Sequence, residues 1–179
     1  VLMNLRPQSH SLQESPTSKQ QAARCIQPRQ VQAASSIYQL RRPMQYKYRK
    51  IDLEQFAVLT EKPLETGREI SFNTDVEFSY DEEQRLLANK ITLSASSSGE
   101  FIMKAVMTSY FEISQESVEE LRNNEGRIEF NPLALVQFAS FNYGALRGAL
   151  SIKTADTALN EIVIPPVYFQ NFITSGFTV

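Results

Sequence analysis

The chain has 179 residues, 42% of them hydrophobic, with 11 Phe and 7 Tyr, which is the size of one domain with material for a full core. Its net charge of −2 hides an uneven split, since residues 1–44 carry +5 and residues 45–179 carry −7. An acidic body argues against a nucleic-acid surface, because phosphate binding draws on clustered Lys and Arg to release counterions. His10 and Cys25 are the only residues of their types, and both precede residue 44. The body therefore offers no imidazole and no thiol, which removes most nucleophile–base pairs and most transition-metal sites, so no cofactor or metal is expected. A single cysteine cannot close an intramolecular disulfide and suits a reducing, cytoplasmic setting.

Residues 1–43 hold Gln8, Gln13, Gln20, Gln21, Gln27, Gln30, Gln32 and Gln39, with Pro7, Pro16, Pro28 and Pro43, and few large apolar residues. They read as a disordered tail. The chain opens on Val1, and Met44 stands directly before the first patterned segment. The expectation is that 1–43 is an expression remnant or a mis-assigned upstream start, and that the domain covers 44–179. The first residues show no short apolar core with a small-residue cleavage site, so a secretory signal is not expected.

From Tyr46 to Leu59 the apolar phase runs Tyr46, Tyr48, then Ile51, Leu53, then Phe56, Val58, a period-2 strand whose two slips imply bulges. The loop Glu61 to Gly67 follows. Ile70, Phe72, Thr74, Val76, Phe78 and Tyr80 then alternate with polar residues, the pattern of a half-buried strand. After the turn Asp81 to Gln84 a third strand carries Leu87, Ile91, Leu93 and Ala95 on one side, and Ser97-Ser98-Gly99 signals a hairpin. The fourth strand, Phe101 to Ile113, is apolar in both phases, which predicts cover on both faces. Ser114 offers an N-cap for a short helix, with Ser117 and Glu120 at capping-box spacing. Asn131 and Pro132 open a long helix expected to reach about Thr154, with Leu135, Phe138, Ala139, Asn142, Leu146, Ala149 and Leu150 as its main stripe. The stretch Pro132 to Ile152 is about long enough to span a bilayer, but Gln137, Asn142 and Arg147 interrupt it, so insertion in a membrane is not expected. Ile162 to Phe169 is an apolar segment stiffened by Pro165 and Pro166. The fold class is α+β: a four-stranded antiparallel meander sheet, then a short helix and one long packed helix.

This order over residues 46–170 resembles the SecB-like protein-export chaperone family. Three local matches carry the resemblance: the stepped first strand Tyr48-Arg49-Lys50-Ile51-Asp52-Leu53-Glu54-Gln55-Phe56, the strand exit Tyr110-Phe111-Glu112-Ile113-Ser114, and Ile164-Pro165-Pro166-Val167-Tyr168-Phe169 after the long helix. Two features depart from it. Only Gln170 to Val179 follow the Pro-Pro segment, where the family commonly has a second helix, and Phe130-Asn131-Pro132-Leu133-Ala134 replaces the Phe-Pro-Tyr-Ala-Arg run that usually opens the long helix. The resemblance implies a non-enzymatic homo-oligomer, a dimer of dimers, whose grooves hold unfolded polypeptide. Delivery to a translocase motor is one route, and the departures favour others, such as a role assisting an antitoxin.

Met103, Met107, Tyr110, Phe111, Phe138 and Phe141 are the candidates for a client groove, because flexible and aromatic side chains accept many sequences without a fixed register; plain core burial is the competing reading. Tyr143, Gly144, Arg147 and Gly148 are candidates for an oligomer interface, since small residues four apart let a second backbone approach. Tight packing on the chain's own sheet, and solvation of Arg147, are the alternatives there. Glu69, Asp75 and Glu77 form an acidic phase that could receive a basic partner segment or simply be solvated. Two other functional classes remain: an adaptor with a single partner, and a hot-dog-like enzyme using Asp or Glu as base. The latter fits poorly, because the strands here precede the long helix.

Overall fold

The computed structural model describes residues 3–5, 43–61 and 69–179, which apart from Pro43 belong to a compact unit made of Val1–Pro7 and Met44–Val179. Most of the expected tail and the loop between the first two meander strands lie outside the described residues. Strands β1 (Met3–Leu5), β2 (Tyr46–Val58), β3 (Ile70–Asp81), β4 (Leu86–Ser97) and β5 (Glu100–Ile113) form one antiparallel sheet in the order β1-β3-β4-β5-β2. The four expected strands are β2 to β5, and β1 extends the sheet at one edge from within the segment assigned to the tail. Helix α1 (Gln115–Leu121) and helix α2 (Pro132–Lys153) follow. Strand β6 (Glu129–Phe130), which precedes α2, pairs with β7 (Phe177–Thr178) at the end of the chain.

The stepped phase of β2 has the cause its sequence implies. Its pairing with β5 shifts between Tyr48 and Lys50 and again between Leu53 and Gln55, so Arg49 and Glu54 are the extra residues. Each shift turns the strand by one residue, which keeps Tyr46, Tyr48, Ile51, Leu53, Phe56 and Val58 opposite Ile113, Phe111, Ser109, Met107, Ala105 and Met103. Each of these six apolar residues of β2 thereby stays on the core face. The extra residues find charged partners: Arg49 pairs with Glu112, and Glu54 accepts from Lys90 at 3.0 Å and from Thr108 Oγ1 at 2.6 Å. The β4–β5 hairpin turns through Ser98 and Gly99, with φ of 52° and 84°, the positive pair a two-residue hairpin turn calls for.

Ser114 caps α1 by accepting the Ser117 N–H at 3.2 Å. The Ser117 hydroxyl does not act in a second capping box; it accepts the Gln45 N–H at 2.9 Å and ties α1 to the start of β2. Asn131 caps α2 through the Ala134 N–H at 2.9 Å, with Pro132 at its first position and Thr154 as C-cap. The helix lies over β4 and β5. It buries Leu135, Phe138, Ala139, Leu146 and Leu150 against Val76, Phe78, Leu87, Ile91, Leu93, Met103, Met107 and Phe111. The Pro-Pro segment packs on the same helix, since the Tyr143 hydroxyl donates to the Pro165 carbonyl at 2.8 Å and its ring meets Phe169 edge-on at 5.6 Å. Beyond it the chain returns beneath Phe130, whose carbonyl would stand 2.7 Å from a Cβ at Gly176; only glycine fits that crossing.

Candidate functional site

Because α2 covers β4 and β5, the core face of the edge strand β2 is left as a shelf beside the helix. Tyr48, Ile51 and Phe141, large apolar residues that would ordinarily be buried, are 42%, 48% and 43% exposed there. They surround one spot. The Tyr48 hydroxyl is 2.7 Å from Ser109 Oγ, Ile51 pairs with Ser109 across the strands, and Phe141 precedes Asn142, which accepts from Ser109 Oγ at 2.7 Å. Leu53, Phe56 and Val58 continue the shelf along β2 and are only partly buried. Tyr46 forms its other end, its ring 5.0 Å from Phe138 and 6.5 Å from Phe141.

A buried polar chain lies under the shelf. Ser109 has a single hydroxyl proton and gives it to Asn142 Oδ1, so the Tyr48 hydroxyl must be the donor to Ser109. Asn142 Nδ2 donates to Asn89 O at 2.7 Å, Asn89 Oδ1 at 3.0 Å and Met107 O at 3.2 Å, and Asn89 Nδ2 donates to Glu77 O at 3.3 Å. Asn89, Ser109 and Asn142 are fully buried. Their satisfied network fixes the position of α2 over the sheet and thus the width of the shelf.

The expected groove residues divide. Met103, Met107 and Phe111 on β5 and Phe138 on the sheet-facing side of α2 are buried between helix and sheet, so their assignment to an open groove is corrected: they form core. Tyr110 is half-buried on the opposite face of β5 from the shelf, where Lys50 approaches its ring at 6.0 Å. Phe141 alone of the six reaches the shelf. Tyr48 and Ile51 do so as well, but in the sequence they are indistinguishable from the core-facing residues of any strand; only the strand's place at the sheet edge exposes them.

Of the four interface candidates, Tyr143 points inward to Pro165, and burial pushes its hydroxyl pKa up. Gly144, Arg147 and Gly148 are exposed and line a groove of about 420 Å³ with Ser151, Thr154 and Ile162 to Ile164. A Cβ at Gly144 or Gly148 would meet nothing within 4 Å, so tight packing of these glycines on their own sheet does not occur. Glu69 is exposed, whereas Asp75 and Glu77 are half-buried on the face of β3 away from α2. Among the described residues no group of His, Cys, Asp and Glu could hold a metal ion, and no helix is long and apolar enough to cross a membrane.

No family model matches the sequence, and no curated protein matches it. Among solved structures, a SecB-like chaperone of Mycobacterium tuberculosis in complex with a ChAD peptide from the HigA1 antitoxin is similar at 10% identity and a TM-score of 0.46, over 68% of this chain and 90% of that one.

Proposed function

We propose that the protein is a non-enzymatic, chaperone-like holder that takes up apolar segments of non-native polypeptide on the shelf between α2 and β2. The exposure of Tyr48, Ile51 and Phe141 around the Ser109–Asn142 pair carries this reading. Large apolar side chains gathered on one surface mark a site of association. An open shelf of aromatic and aliphatic groups, with no charged residue at its centre among the described residues, would take extended segments without strict sequence demands. The family resemblance in the order of elements and in the Pro-Pro segment supports the same reading. It also suggests a homo-oligomer, for which the open Gly144–Gly148 surface offers a close-approach site, with Arg147 placed to meet a carboxylate of a second copy. Asp75 and Glu77 would give a basic partner segment a place on the far side of the sheet. The delivery route is the less constrained part of the proposal, with export, service to an antitoxin and a single private partner as its forms.

Light scattering of the chain with and without a permanently unfolded client, combined with suppression of aggregation of several unrelated unfolded proteins, tests it. The expected result is an assembly that binds the client and protects several proteins. Phe141→Asp is expected to abolish protection while leaving the fold intact. A monomer that ignores every client would overturn the holder reading, and binding of one partner only would establish an adaptor instead.

A further inference from the structure

We propose that the outer edge of β3 is a strand-addition site for an extended polypeptide segment with apolar residues at alternate positions, and that the chain's own Met3–Leu5 occupies it as a displaceable insert. This surface is distinct from the shelf, and the proposal does not depend on it.

Strand β3 pairs with β4 along its whole length, from Ile70 opposite Ser97 to Asp81 opposite Leu86, without a register shift. Among the described residues its outer edge is paired at three positions, with Met3 opposite Phe78, Asn4 opposite Glu77 and Leu5 opposite Val76. An unpaired edge is a template for another strand, and proteins commonly blunt such edges with bulges, Pro or Lys. The other edge of the sheet is treated in that way: β2 has two bulges and carries Lys47, Arg49 and Lys50. Strand β3 has no bulge, no Pro, no Lys and no Arg. Among the described residues it is long and regular, its charges are the acidic Asp75, Glu77 and Asp81, and β1 alone covers its edge.

The register of β1 shows what the edge accepts. Apolar positions Met3 and Leu5 stand opposite Phe78 and Val76, the buried phase of β3, and the polar Asn4 stands opposite Glu77. Backbone hydrogen bonds would supply affinity for any extended chain, and the alternation would select the phase in which it docks. Three residues are fewer than the five or six of an ordinary strand, and among the described residues the next strand is β2, from Tyr46. The insert is thus a short, weak ligand carried on the same chain, competing at an effective concentration on the order of millimolar or below. A longer segment, pairing with more of the 12 residues of β3, can replace it.

A fluorescein-labelled peptide carrying residues Val1 to Arg6 is titrated into the full chain and into a double variant, Asn4→Pro with Leu5→Pro. Ladder amides alternate along a strand, so changing both removes whichever donates to β3. The variant is expected to bind the peptide about tenfold tighter or more, because the internal competitor is gone. Hydrogen exchange at residues 75–79 should quicken in the variant and slow again with peptide. Equal affinity for the two proteins, or protection appearing on β2 instead, overturns the proposal. Adding Phe141→Asp to the double variant should leave peptide affinity unchanged; its loss would place the peptide on the shelf and also overturn it. If the double variant fails to fold, the unaltered chain decides, because saturating peptide must speed exchange of the amides of Met3–Leu5, and unchanged exchange there refutes displacement.

Discussion

Asn142 of α2 donates from Nδ2 to Asn89 Oδ1 of β4 at 3.0 Å, in a helix–sheet interface that is otherwise packed with Leu, Phe and Met. A buried amide of this kind is costly unless every polar atom is satisfied, and here Oδ1 receives the Ser109 hydroxyl while Nδ2 reaches three acceptors. Replacing Asn142 by Leu keeps the branched shape but strands the Ser109 hydroxyl and Asn89 Oδ1 and takes a donor from two backbone carbonyls. A loss of about 2–4 kcal/mol is expected in urea unfolding. A double-mutant cycle with Ser109→Ala should recover part of it, because the stranded hydroxyl is then gone.

Met107 distinguishes core from groove. It is buried beneath α2, and its carbonyl receives Asn142. Met107→Asp is expected to unfold the protein or lower its stability by more than about 3 kcal/mol, because it buries an unpaired carboxylate. Met107→Leu should cost less than about 1.5 kcal/mol. A folded Met107→Asp protein, shown by circular dichroism, would contradict this burial.

Gly144 gives effects of opposite sign on fold and assembly. Its Cβ position is open, and it lies inside a helix, so Gly144→Ala should raise the melting temperature of the isolated subunit, by about 0.5–1 kcal/mol of helix stability. If a second copy approaches there, Gly144→Leu should weaken association measured by light scattering while the subunit still folds.

The Glu54–Lys90 pair on the outer face predicts a pH window. The Thr108 hydroxyl, followed by Lys90, holds the Glu54 carboxyl below its usual range, and the bond to Glu54 raises Lys90. Glu54 therefore adds stability above the ordinary carboxylate pKa, and this is lost as pH falls through its lowered folded value. Lys90 adds stability below the ordinary lysine pKa, and this is lost as pH rises through its raised folded value. The stability gap between the unaltered chain and Glu54→Gln should be flat from about pH 5 to 9 and close on either side. The partners are partly exposed, so the gap itself is about 0.5 kcal/mol. A gap that widens in acid would contradict the assignment.

Most of the sheet-and-helix plan was legible because it rests on local rules. Alternation along β3, the two phase slips of β2, Ser98-Gly99 at the hairpin and Asn131-Pro132 at the start of α2 each act within a few residues, and each appears where its pattern places it. The absence of His and Cys from residues 44–179 is likewise a property of the chain, whatever its fold. The candidate site was less legible. Met103, Phe111 and Phe138 have the composition of a binding groove and became core, while Tyr48 and Ile51 have the pattern of core and became surface. Periodicity tells which side chains share a face, but not which part of that face a later helix will cover. The buried role of Asn142 in an apolar stripe, and the seating of Met3–Leu5 on β3, join residues 53 and more than 70 positions apart. Such pairings are set by the packing of whole elements, where desolvating a polar group or leaving an edge unpaired costs more than any local propensity supplies. They exist only once α2 lies on the sheet and the order β1-β3-β4-β5-β2 has been chosen.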